Sequence, residues 1–143
     1  MIKKILMLFL VIGCCLSMTA CGILSELYDE AQKSVDILEQ FCDYISNDEI
    51  ESAQKLTHPK YFPTLNSLEQ HLCSLEQKNN IDFSDGIQLK KRLDLGSTYY
   101  DSSYDGQVHE IKYSVVIGDR DEILYVIVVN NENGNGIATF DIE

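Results

Sequence analysis

His58, Asp94, His109 and Tyr113 are the side chains of this 143-residue sequence best suited to acid–base chemistry. A proton transfer of the isomerase kind needs a carboxylate or imidazole supported by a phenol or a second imidazole inside a pocket. His109 and Tyr113 fall on the apolar-facing register of one predicted strand, and with Asp94 they form the candidate pocket set. The competing reading is plainer. A lone histidine on an apolar strand face is usually a packing residue, and His58, directly before Pro59, reads as a helix stop. No spacing pairs these groups, so the sequence offers no catalytic residues and the expectation is a protein that is not an enzyme. Cys42 and Cys73 form a candidate disulfide, against the alternative of two free thiols packed as small hydrophobes. No Cys-x-x-Cys occurs, so thiol-redox chemistry has no support.

Metal chemistry is also unsupported. Asn131, Asn133, Asn135 and Gly136, and likewise Asp101, Ser103, Asp105 and Gly106, match the first half of a calcium-binding EF-hand loop. That loop needs a glutamate at its twelfth position, and Ile142 and Lys112 stand there instead. Both segments read as hairpin turns. The three histidines are scattered, without the spacing of a zinc site. No metal or cofactor is expected.

The most specific signal is Cys21. Lys3 and Lys4 precede an apolar run from Ile5 to Leu16, and Leu16-Ser17-Met18-Thr19-Ala20-Cys21-Gly22 follows. This resembles the lipobox of bacterial lipoproteins, with Met18 where that family prefers leucine. The resemblance implies cleavage after Ala20, a diacylglyceryl thioether on Cys21 and an extracytoplasmic domain held at the cell membrane. A second lipobox-like site at Cys14 leaves too short an apolar core. An uncleaved membrane helix over Ile5 to Leu24 has the ~20 residues needed to span a bilayer, but Ser17, Thr19 and two glycines weaken it.

Residues 1–20 are therefore read as a leader and 21–143 as one domain of ordinary size. Losing Lys3 and Lys4 leaves 9 basic against 23 acidic residues, a formal charge of −14. Such a surface repels nucleic acid and anionic headgroups, and leaves cationic or neutral partners open.

Helices must come first. Leu24, Leu27, Tyr28, Ala31, Val35, Leu38, Phe41, Cys42 and Ile45 recur at helical spacing. Ser46 and Glu49 have the spacing of a capping box for a short helix burying Ile50, Ala53 and Leu56. A third helix begins near Asn66, turns Leu65, Leu68, Leu72 and Leu75 inward, and closes at Asn79-Asn80. The period then changes to two. Ile87, Leu89, Leu93 and Leu95 alternate, interrupted by Lys91; His109, Ile111, Tyr113, Val115 and Ile117 alternate cleanly; Ile123 to Val129 is apolar on both faces; Ile137 to Ile142 is a last strand. Turn-rich connections predict an antiparallel meander, so the class is α+β.

The opening helix, the segment Phe41-Cys-Asp-Tyr-Ile-Ser-Asn-Asp-Glu-Ile-Glu-Ser-Ala-Gln-Lys-Leu-Thr-His-Pro59 and the closing meander resemble the NTF2-like, cone-shaped α+β superfamily. A cystatin-type sheet wrapping one helix is the nearest alternative. The resemblance implies helices packed on a curved sheet with a pocket inside the cone, and no particular activity. The leading expectation is a non-enzymatic binding or interaction domain, meeting an envelope protein or ligand just outside the membrane. The alternatives are a small-molecule binder or isomerase using the cone, and a homodimer joined through an outer sheet face carrying Leu124, Val126 and Val128. Tyr99, Tyr100 and Tyr104 make an aromatic cluster beside an acidic hairpin, suited to protein or glycan contact or simply to covering the sheet.

Overall fold

A computed structural model describes residues 25–26 and 28–143. The leader, Cys21, Leu24 and Leu27 lie outside the described residues. Helix α1 covers residues 28–46, α2 is Ile50–Gln54 and α3 is Leu65–Asn79. A 3-10 turn at Phe83–Asp85 leads into strands β1 (Ile87–Asp101), β2 (Gly106–Ile117), β3 (Arg120–Asn131) and β4 (Gly134–Ile142). The strands pair in sequence order as an open, four-stranded antiparallel sheet, with the helices packed on it. The class is therefore α+β, as the change of period predicts.

The apolar stripe of α1 is buried as its spacing requires: Ala31, Val35, Leu38, Phe41, Cys42 and Ile45 are each at most 3% exposed. Tyr28, expected on that stripe, is 63% exposed instead. Beneath α1, Phe41 packs on Phe140 of β4 with ring centroids 5.0 Å apart, and Phe83 closes on Phe140 at 5.9 Å. The expected capping box is not where Ser46 and Glu49 placed it. Glu49 is the N-cap of α2 without a side-chain bond. Ser46 Oγ donates to the Cys42 carbonyl and accepts from Ile87 N–H, joining the end of α1 to the start of β1. The reciprocal capping box belongs to Thr64 and Ser67, at the start of α3.

Simple alternation fails in β1. Its register against β2 slips between Leu89 and Lys91 and again between Arg92 and Asp94, so Lys90 and Leu93 bulge out of the pairing. The residues opposite the inward set of β2 thus become Ile87, Leu89, Arg92, Leu95 and Ser97. Leu93, expected inside, is 49% exposed, and Arg92 rather than a hydrophobe faces Tyr113.

The opposite edge is covered. The segment leaving α2 runs beside β4: Ile137 N–H donates to the Leu56 carbonyl and His58 N–H to the Ile137 carbonyl, both at 2.9 Å. His58, fully buried, anchors this strap. Its Nδ1 accepts from Lys60 N–H at 3.2 Å, which leaves Nε2–H to donate to Asn131 Oδ1 at 3.0 Å. Beyond it the strap turns Tyr61 onto the outer sheet face, where it stacks with Tyr104 and covers Val108, Ile127, Val129 and Ala138. This explains why β3 is apolar on both faces. It also corrects the expected dimer surface. Leu124, Val126 and Val128 are fully buried in the main core beneath the helices, because they occupy the inner register of β3.

Candidate functional site

The predicted pocket residues do not converge. His109 is buried on the inner face of β2, 2% exposed, with Ser97 Oγ 2.8 Å from its Nδ1. A polar cavity of about 110 Å³ adjoins it, lined by Glu30, Lys33, Ser34, Asn130 and Asn135. Tyr113 shares that face but lies four residues along the strand, roughly 13 Å away. Its hydroxyl donates to Glu39 Oε1 at 3.4 Å, and burial raises its pKa. Asp94 is exposed on β1 opposite Lys112, whose side faces away from His109 and Tyr113. It does not join them.

Burial pulls the His109 pKa below its ordinary 6.5, with Glu30 opposing. The folded state therefore favours the neutral ring. Stability from this group is complete above about pH 6.5, the unfolded value, and is lost as the pH falls below it. Between pH 7.5 and 5.5 the thermal midpoint should drop, and His109→Gln should flatten that drop. Parallel curves for the two proteins would mean that His109 titrates alike folded and unfolded.

The candidate disulfide is not formed. Both thiols are free; Cys42 faces the core of α1 while Cys73 faces solvent on α3. Burial, reinforced by Glu39, pushes the Cys42 thiol far above its ordinary pKa, so it packs as an inert hydrophobe. The calcium-like loops use their oxygens in turns: Asp101 Oδ1 accepts from Ser103 N–H at 2.7 Å, and Asn131 Oδ1 from Asn133 N–H at 2.9 Å.

A different concavity has the makings of a binding site. Where the end of α1, the start of α2, α3 and the 3-10 turn meet, a cleft of about 440 Å³ opens, floored by Ile45, Ile50, Leu72 and Phe83. Asp48, Glu69, Glu76 and Asp82 stand around it, with the exposed Cys73. It continues past Asp48 into a second hollow that adds Glu49 and Glu51, and past Ser84 into a third that adds Glu39, Asp43 and Asp85. Among the described residues, no lysine or arginine lines any of the three. Hydrogen bonds from Ser84 hold the Asp82 carboxyl below its usual range, so it stays ionised. An apolar floor under unopposed carboxylates can hold a cation that carries an apolar body. The sequence hinted at this only through its overall charge, because the acids come from four separate segments.

No family model, curated protein or solved structure matches the chain. Among the described residues, no helix is long and apolar enough to cross a membrane, and no group of three or more His, Cys, Asp and Glu side chains is arranged to hold a metal ion.

Proposed function

We propose that this protein is a lipid-anchored, extracytoplasmic binding domain whose acidic groove takes a cationic ligand with apolar side groups, such as a basic amphipathic segment of an envelope protein. The observation that carries the ligand class is the pairing of the Ile45–Ile50–Leu72–Phe83 floor with a rim that has four carboxylates and no base. The lipobox ending at Cys21 supports the location. The NTF2-like assignment is part of the same reading, supported by the order of three helices followed by a meander. A non-catalytic role is supported by the separation of His109 from Tyr113 and Asp94, and by the small volume beside His109, about 110 Å³.

The test is titration of the full-length protein with a synthetic peptide of alternating lysine and leucine turns, and with the same peptide carrying glutamate for lysine. The lysine peptide should bind, weaken as salt rises, and lose about tenfold in affinity to a Glu51→Lys, Glu69→Lys double variant, both residues standing exposed on the groove. That follows from two exposed contacts of up to ~1 kcal/mol each turned repulsive. Equal binding of both peptides, or an unaffected double variant, would end the groove reading.

A further inference from the structure

The direction of α1 fixes which end of the domain meets the membrane. Glu30 and Ser34 border the cavity at His109, Glu39 accepts from Tyr113, and Ser46 bonds the start of β1 at Ile87, which pairs with Ile117. Residues 30 to 46 thus travel alongside residues 109 to 117, and α1 enters at the end of the sheet where β2 begins. The tips of the β1–β2 and β3–β4 hairpins lie at that same end. From Cys21 to Ser25 even a fully extended chain reaches only about 14 Å.

At this end the surface is unusually aromatic. Tyr28, Tyr99 and Tyr100 are 63%, 79% and 58% exposed, three of the five large hydrophobic side chains that stand out from the described surface. A tyrosine offers a flat apolar body with a polar tip, which suits the headgroup layer of a bilayer. Asp29, Asp101, Asp105 and Glu132 belong to the same end of the domain, and Tyr100 donates its hydroxyl to Asp105 at 2.7 Å. The tip would be repelled by anionic lipid, so the matching surface is zwitterionic.

Resting on the lipid-anchor reading, we propose that the domain sits on the bilayer through its paired hairpin tips, with Tyr28, Tyr99 and Tyr100 among zwitterionic phospholipid headgroups. The acidic groove then faces away from the membrane, since Ile45 lies roughly 25 Å along α1 from Tyr28.

The chain contains no tryptophan, so a single one reports its own surroundings. Full-length lipidated Tyr99→Trp is placed in phosphatidylcholine vesicles whose acyl chains carry bromine near the headgroup. Its emission should be blue-shifted and quenched severalfold more than that of Asp119→Trp, at the opposite turn, and the quenching should fall when phosphatidylglycerol is added. If Cys21→Ser frees the protein from the vesicles but Tyr99→Trp is unquenched, the anchor stands and the seated orientation is wrong. Equal quenching at both positions, or a blue shift that grows with protein density without quenching, also overturns it; the latter would mean the tip packs on a second copy. A Cys21→Ser protein that stays with the vesicles would instead defeat the anchor reading beneath it.

Discussion

Gly136→Ala should cost this domain about 2–3 kcal/mol, lowering its thermal midpoint by roughly 10 °C. A β-carbon at Gly136 would stand 2.6 Å from the Thr57 carbonyl carbon, 2.7 Å from His58 N and 2.8 Å from Leu56 O. All three are backbone atoms, so no side chain can swing aside. The strap must lift from β4. It then gives up the two backbone bonds to Ile137 and exposes the seat of His58 and the Tyr61 cover over Val129. Gly96→Ala is the matched control, because its nearest neighbour would be 3.8 Å away, ordinary van der Waals contact. Its effect should stay within about 0.5 kcal/mol. Chemical denaturation of both variants decides the matter, and equal midpoints would show that the strap is dispensable.

On the lipid-anchor reading proposed above, the Cys21→Ser chain should move completely from the detergent phase to the aqueous phase on phase separation. Two acyl chains bury many methylene groups at about 0.8 kcal/mol each, and serine offers no thiol to carry them. Among the described residues, no helix is long and apolar enough to span a bilayer. Persistence of the variant in the detergent phase would mean that the apolar run from Ile5 to Leu24 stays attached as a membrane helix.

The parts of this fold that were legible in the sequence are those governed by one element's own periodicity. The buried stripe of α1, the inward leucines of α3 and the alternation from His109 to Ile117 were all readable, because each needs only one partner surface. What escaped depends on two elements at once. The bulges at Lys90 and Leu93 show only against β2, although Lys91 falling in the predicted inward set was their trace. Either parity of β3 was apolar, so the choice of Leu124, Val126 and Val128 as outer residues had no local arbiter; the strap supplied it by burying Ile127 and Val129 as well. His58 looked like a mere stop before Pro59 because its partner, Asn131, is 73 residues away. The groove was the least legible, since its floor and rim assemble from helix ends that carry no shared pattern.

The irregularity of β1 bears on how many copies can live together. A lipid anchor would confine the protein to a plane, where neighbours meet far more often than in solution. A free sheet edge of 15 residues is a standing invitation to polymerise under such crowding. The register shifts at Lys90, at Leu93 and between Thr98 and Asp101 break the run of unpaired backbone groups into short pieces, and Lys90, Lys91 and Arg92 set adjoining like charges along it. Straightening that edge, rather than unfolding the core, is the change that would turn a dispersed film of these domains into fibres.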